Sequence, residues 1–277
     1  MTMRITFSEE GSDLLRVAAS FNTAIHRTLR AADFHVRQRT HAPVARRASA
    51  WRPAWHTCAM NNSELDRLGE RLRLVVTADD LTALDTYRRG FRQSYDSVVD
   101  RIRAELGLEA SGRPAKSTAA IVDKLKRGSM RLTQMQDIAG CRIVVPDITT
   151  QSQLVGRLEL MFQVAVIDRR AKPSHGYRAI HVIVRSTDLP VEVQLRTDLQ
   201  HVWAELSEKL ADAYGIALKY GGGPDRIRTT LDDFSGLIAE FEKTLDIDGG
   251  QNERVQKLKI DIRRAMLNVT IALRQQK

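Results

Sequence analysis

Nowhere does the chain hold the roughly 20 consecutive apolar residues that a bilayer-spanning helix needs, so no membrane segment is expected. The amino terminus has early acids (Glu9, Glu10, Asp13) and no apolar stretch of secretory type, which argues against export. Only two cysteines occur, Cys58 and Cys141, far apart and without ligand spacing. Neither a disulfide framework nor a cysteine metal site is expected from them, and reduced thiols of a cytoplasmic protein are. Internal repeats and low-complexity tracts are also missing.

What is there is enough for a core. Of 277 residues 43% are hydrophobic, sufficient for one large domain or two small ones. The net charge of +9 is unevenly placed. Residues 1–59 carry nine arginines (4, 16, 27, 30, 37, 39, 46, 47 and 52) against Glu9, Glu10, Asp13 and Asp33, about half of the whole excess. A basic balance suits nucleotide phosphates or nucleic acid. The same segment reads as a poorly ordered appendage, with one short helix over about 11–32 and no sustained period afterwards. Four of the seven histidines lie in it (26, 35, 41, 56), scattered without metal-ligand spacing.

Beyond Met60 the pattern sharpens. Ser63 is the expected cap of a helix carrying Leu65, Leu68 and Leu72. Thr77, with Asp79 and Asp80, starts a longer one. Its apolar face runs Leu84, Tyr87, Phe91, Tyr95, Val98, Ile102, Leu106 in strides of three and four, and Gly107 ends it. A turn at Ser111-Gly112-Arg113-Pro114 precedes a helix at about 117–127. Strands are then expected at 141–145, 163–168, 178–186 and 190–196, with helices at 149–161 and 198–212. Gly221-Gly222-Gly223-Pro224 reads as a hinge before two terminal helices, 224–245 and 251–275. The alternation of periods predicts an α+β fold, a mixed β-sheet flanked by helices. A stripe of Val255, Leu258, Ile262, Met266, Val269 and Leu273 is left to dock on its own domain or on another subunit.

Three short stretches carry the chemistry: Asp137-Ile138-Ala139-Gly140-Cys141-Arg142, His175-Gly176-Tyr177-Arg178-Ala179-Ile180-His181, and Val191-Glu192-Val193-Gln194-Leu195-Arg196-Thr197. Each sets charged or aromatic side chains at the edge of a β-branched run. Two carboxylates on neighbouring strands, Asp137 and Glu192, suit one Mg²⁺, which takes oxygen ligands and keeps places for substrate phosphates. Glu192 is also the candidate general base. Lys116, Lys124, Lys126, Arg127 and Arg131 precede Asp137. Lys116 and Lys124 stand eight apart and share a helical face if the helix starts early enough, whereas Lys126 and Arg127 read as a solvated face. Arg169, Arg170 and Lys172 lie before Gly176. Gly176 permits a tight turn, which would leave the Tyr177 ring free to lie on a planar base; an ordinary strand-edge tyrosine is the alternative.

Taken together, these stretches resemble the synthetase domain of the RelA/SpoT alarmone synthetases over about residues 80–212. The resemblance implies a nucleotidyltransferase-like synthetase fold of about five strands with helical extensions at both ends. It divides the chain into 1–59, a synthetase domain at 60–215 and a helical pair at 224–277. The implied reaction moves the pyrophosphate of ATP to the 3′-hydroxyl of GTP or GDP, with Mg²⁺. Asp137 then binds metal, Glu192 is catalytic and a second metal ligand, and Tyr177 stacks on guanine. Arg113, Lys116, Lys124, Arg142, Lys172, Arg178, His181, Gln194 and Arg196 join Tyr177 in binding nucleotide. Trp203-Ala204 matches a Trp-Ala pair of the family.

Departures accompany the match. Pro114 stands where the family has an arginine, with Arg113 one place off, and Ala120 replaces a serine. The span from Asp168 to Tyr177 is one residue short, and Ser207-Glu208 replaces a Glu-His pair. No His-Asp dipeptide occurs, so the hydrolase module of long members is not expected, nor are their regulatory domains. A small synthetase of this kind has three open readings: a guanine-nucleotide pyrophosphotransferase, a toxic relative acting on adenine nucleotides or the 3′ end of tRNA and neutralised by an antitoxin protein, or an inactive RNA-binding module. A homo-oligomer through the terminal helices is a further expectation.

Overall fold

The computed structural model describes residues 60–185, 187–247, 256–257, 259–264 and 266. The appendage expected at 1–59 lies outside them, as does most of the helix expected at 251–275.

Three helices open the described chain. The first, α1 (Asn62–Leu74), starts from Asn61 and not from Ser63. Asn61 Oδ1 accepts from the Glu64 amide at 3.0 Å, and Glu64 Oε2 accepts from the Asn61 amide at 2.8 Å. That reciprocal pair satisfies two end donors at once, so the cap falls on the residue with a glutamate three places on. Thr77 caps α2 (Ala78–Arg89) as expected. The single long helix expected from there to Leu106 is two: α2, then α3 (Phe91–Leu106), jointed at Gly90. The Gly90 amide turns back onto Tyr87 O (3.2 Å), one residue short of the helical partner. The apolar stripe survives the joint, with Tyr87 edge-on to Phe91 at 5.3 Å. Gly107 ends α3 in the left-handed region (φ 65°), a conformation that costs glycine little.

Ser111–Arg113, expected as a turn, is a short edge strand, β1. Having no apolar residue, it carries no strand signal; its pairing with Gly140–Arg142 makes it one. Then follow α4 (Thr118–Arg127), β2 (Ala139–Val145), α5 (Ile148–Met161), β3 (Val164–Asp168), β4 (Ile180–Val184), β5 (Val191–Thr197), α6 (Asp198–Tyr214) and α7 (Asp225–Ile247). The five strands form one mixed sheet in the order β1-β2-β5-β4-β3. Among the described strands only β2 and β5 pair in parallel. The fold is α+β with a five-stranded mixed sheet.

Strand periodicity separates the two faces. Ala139, Cys141, Ile143, Val145, Ile180, Val182, Val184, Val191, Val193 and Leu195 enter one core with α1 to α5. Their neighbours (Gly140, Arg142, His181, Glu192, Gln194, Arg196) take the other face. A second core of Leu199, Trp203, Leu206, Leu210, Leu231, Phe234, Ile238 and Phe241 joins α6 to α7. Burying such side chains contributes about 1.5–3 kcal/mol each. Ile262 and Met266, the described part of the terminal stripe, are buried against these same helices of the chain itself. Polar ties reinforce the seam: Trp203 Nε1 donates to Leu231 O at 2.9 Å, and buried Glu242 accepts from Thr197 Oγ1 and from Gln200 Nε2.

Candidate active site

The polar face of the sheet is where the three motifs meet. β2 and β5 run parallel with Gly140 opposite Glu192 and Arg142 opposite Gln194, while β4 brings His181 opposite Gln194. A cleft of about 510 Å³ opens there, lined by Arg113, Lys116, Asp137, Arg142, Glu192, Gln194, Arg196 and Glu208 among others. Gly140 lines it too, and a Cβ there would stand 3.2 Å from Glu192 O, tight against the neighbouring strand.

Asp137 lies just ahead of β2 between two ammonium groups. Lys116 Nζ donates to Oδ2 at 2.9 Å and Lys124 Nζ to Oδ1 at 2.8 Å. Burial pushes the Asp137 carboxyl up, but Lys124 and Lys116 outweigh it and hold the group at about 2. Asp137 is therefore ionised at any ordinary pH.

Glu192 is enclosed differently. Its oxygens meet His181 Nδ1 at 2.6 Å and Gln194 Nε2 at 2.7 Å. Burial raises its pKa, and the His181 contact followed by Gln194 reverses this to a net lowering, opposed by the charge of Asp137. Ionised, Glu192 only accepts, so both neighbours donate to it. The Tyr177 hydroxyl lies 3.0 Å from His181 Nε2, and Arg196 Nη2 donates to that hydroxyl (3.1 Å) and to Gln194 Oε1 (3.0 Å). Five side chains thus close a ring, with Arg196 feeding Glu192 by two routes, through Gln194 and through Tyr177 and His181.

The Tyr177 loop is shaped for this. His175 (φ 50°) and Gly176 (φ 78°) are successive left-handed residues, and Ser174 and Tyr177 exchange backbone bonds at 3.2 and 3.0 Å around them. Such a two-residue turn with both central φ positive is the tight hairpin form. Gly176 also backs onto the Trp203 ring. Burial raises the Tyr177 pKa, and Arg196 works against that. The ring is half-buried and partly packed against the α6–α7 core.

Five expected nucleotide-binding residues do not line the cleft. Lys124, Tyr177 and His181 stand one contact behind it, bonded to Asp137, Arg196 and Glu192, and Arg178 and Lys172 lie elsewhere. Arg178 turns to α7, donating from Nε to Ser235 O (3.2 Å) and Oγ (2.9 Å) and from Nη1 to Arg170 O. It lines a different cavity with Arg170, Glu242 and Lys243. Lys172 is exposed on the loop. Arg113 lines the cleft and is exposed.

Other residues were not anticipated. His201 Nδ1 lies 3.2 Å from Arg142 Nη1. Since guanidinium only donates, Nδ1 must accept, leaving the proton on Nε2 toward Glu205 Oε1 at 3.7 Å. Burial lowers the pKa of His201, consistent with a neutral ring. Glu208 lines the cleft from the same helix. Spacings of four and three along 201, 205 and 208 mark one helical face and were the available signal.

Residues 112–215 match the family described as "Region found in RelA / SpoT proteins". Uncharacterized proteins of Mycobacterium tuberculosis and Mycobacterium bovis are each 33% identical over 232 residues, 78% of this chain and 82% of theirs. The chain belongs to the RelA/SpoT family. A guanosine-3′,5′-bis(diphosphate) 3′-pyrophosphohydrolase of Vibrio cholerae is 30% identical over 189 residues, covering 64% of this chain and 27% of that one. The crystal structure of small alarmone synthetase 1 from Bacillus subtilis, bound to its product pppGpp, matches with a TM-score of 0.50. It is 20% identical and covers 61% of this chain and 98% of that one, a likeness of fold. The family match spans β1 to the end of α6, which are the elements that build the cleft. Among the described residues, no helix is long and apolar enough to cross a membrane.

Proposed function

We propose that this RelA/SpoT protein is a pyrophosphotransferase that moves the β,γ-pyrophosphate of ATP to the 3′-hydroxyl of GTP or GDP. The observation that carries this is the meeting of Asp137, gripped by Lys116 and Lys124, with Glu192 in one cleft. The acceptor 3′-oxygen attacks the β-phosphorus of ATP, the bond from that phosphorus to the oxygen of AMP breaks, and AMP leaves with the electron pair. The proton of the hydroxyl passes to the ionised Glu192, which His181 and Gln194 hold in place. Phosphoryl-type transfer asks the protein mainly for positioning and for positive charge. Lys116, Lys124, Arg113 and Arg142 supply that charge around the donor.

The donor set also suits Mg²⁺. Among the described residues no third His, Cys, Asp or Glu joins a metal-type cluster, and Mg²⁺ is commonly held by one or two carboxylates with waters and substrate phosphates. Asp137 and Glu192 would hold it, and when bound it would neutralise charge developing on the phosphates. Tyr177, half-buried above His181, presents the ring against which the acceptor base would lie.

The test is incubation of the purified protein with labelled ATP and, separately, GTP, GDP, ATP and tRNA. A labelled 3′-pyrophosphorylated guanine nucleotide supports the reading. Label carried only to an adenine nucleotide or to tRNA would replace the acceptor, and no transfer to any of them would contradict the reaction.

A further inference from the structure

Both oxygens of Asp137 carry a lysine, and each lysine takes a different one: Lys116 Nζ at 2.9 Å from Oδ2 and Lys124 Nζ at 2.8 Å from Oδ1. The side chains of Lys116, Asp137 and Lys124 are 16%, 22% and 31% exposed, so this triad is partly buried throughout. One negative charge between two positive ones leaves a local excess of positive charge. A dication approaching Asp137 meets two ammonium groups before it meets an uncompensated oxygen. A polyphosphate sees the reverse and attracts both lysines.

The lysines are built to move. Each ends a flexible four-carbon stem with three rotatable donors, so an ammonium group can pass from a carboxylate to a phosphate without a shift of backbone. Lys116 precedes the Ser117 cap of α4, and Lys124 lies on α4 itself. Lys116 lines the cleft and Lys124 stands behind Asp137, so the two ammonium groups flank one carboxylate at the edge of the cleft and can turn to one ligand. Glu192 offers no such exchange, since its partners His181 and Gln194 are fixed in the ring that Arg196 and Tyr177 close.

We propose that Lys116 and Lys124 hold on Asp137 the places of a divalent cation and yield them to the phosphates of a nucleotide, so that the cation enters with or after the nucleotide. This rests on the pyrophosphotransfer reading only for the identity of the polyanion. The nucleotide-free cleft is then poor at binding a metal, and the order of loading is written into three side chains.

The experiment titrates Mn²⁺, read by electron paramagnetic resonance, into nucleotide-free wild-type protein and into Lys116→Met, Lys124→Met and the double variant, each checked for folding by circular dichroism. The double variant is expected to bind Mn²⁺ at least about tenfold more tightly than wild type, and Asp137→Asn added to it should remove the gain. Equal Mn²⁺ affinity in wild type and the folded double variant would overturn the proposal. Should the double variant not fold, the single variants give the same comparison with a smaller expected gain, and no gain in either would count equally against it. A second arm uses wild type alone: a non-cleavable ATP analogue should still bind in EDTA, and strict dependence of its binding on metal would also overturn the proposal. If no ATP analogue binds with or without metal, the functional reading fails, while the nucleotide-free Mn²⁺ comparison still decides the role of the lysines.

Discussion

Arg196 sets Nη2 3.1 Å from the hydroxyl of Tyr177 and carries its guanidinium carbon 5.1 Å from the centre of the same ring. The pair makes Tyr177 a structural partner of Glu192 as well as the proposed surface for a base, because the hydroxyl continues to His181. Arg196→Lys keeps the charge but loses the fork that reaches both Tyr177 and Gln194. We expect kcat to fall about ten- to a hundredfold in that variant, with ATP-analogue affinity nearly unchanged. Steady-state kinetics beside a binding titration checks this, and a kcat at the wild-type level would show that the ring is not needed.

Tyr177 itself separates ring from hydroxyl. Tyr177→Ala should raise the acceptor KM roughly ten- to a hundredfold, since base–aromatic stacking is worth about 1–3 kcal/mol. Tyr177→Phe keeps the ring and breaks the link to His181, so it should lower kcat and spare the acceptor KM. A strand-edge role alone would lower the melting temperature of Tyr177→Ala while affecting both substrates alike.

Glu192→Gln and Asp137→Asn preserve shape and remove charge. Each should reduce transfer by roughly a hundredfold or more while the fold remains. Near-normal turnover in either, measured on protein with a wild-type circular dichroism spectrum, would remove that residue from the chemistry.

Gly176→Ala tests the loop. The backbone there has φ 78°, and a Cβ would stand 2.7 Å from Trp203 Cζ2. Strain and collision together should cost about 1–3 kcal/mol, seen as a lowered melting temperature, and should displace Tyr177 enough to impair acceptor use. An unchanged melting temperature would mean that the turn relaxes freely.

Asp137 gives a pH dependence. Its folded pKa of about 2 lies below the ordinary 3.8, so the unfolded chain binds the proton more readily. The stabilisation is fully present above pH 4 and is lost as pH falls toward 2. It amounts to about 2 kcal/mol on the linkage relation. Denaturant midpoints of wild type and Asp137→Asn should therefore converge as pH drops through that window. A gap that stays constant from pH 5 to pH 2 would show that the lysines do not depress the group.

The cleft was legible because its chemistry sits on strands with period two. Once Cys141, Val193 and Val182 are assigned to the core, Arg142, Gln194 and His181 must share the other face, and the motifs follow. Parallel pairing of β2 with β5 was not legible, nor was β1, whose three residues have no apolar pattern and become a strand only by meeting Gly140–Arg142. The joint at Gly90 was hidden because the apolar stripe runs through it unbroken. Arg178 was misplaced because its partner Ser235 lies 57 residues away on α7. No local spacing could report that contact, and the same distance problem hid His201 beside Arg142. The lysine contacts to Asp137 depend on how α4 lies over the start of β2, a matter of tertiary packing.

The most direct measurement follows both products of one turnover. Wild-type protein given ATP labelled at the β-phosphate, GDP and Mg²⁺ should release AMP and 3′-pyrophosphorylated GDP in equal amounts, with the label in the guanine product. Asp137→Asn should release both roughly a hundredfold or more slowly. Formation of ADP and free phosphate in place of AMP, or AMP without a labelled guanine nucleotide, would contradict transfer of a pyrophosphate unit in this cleft.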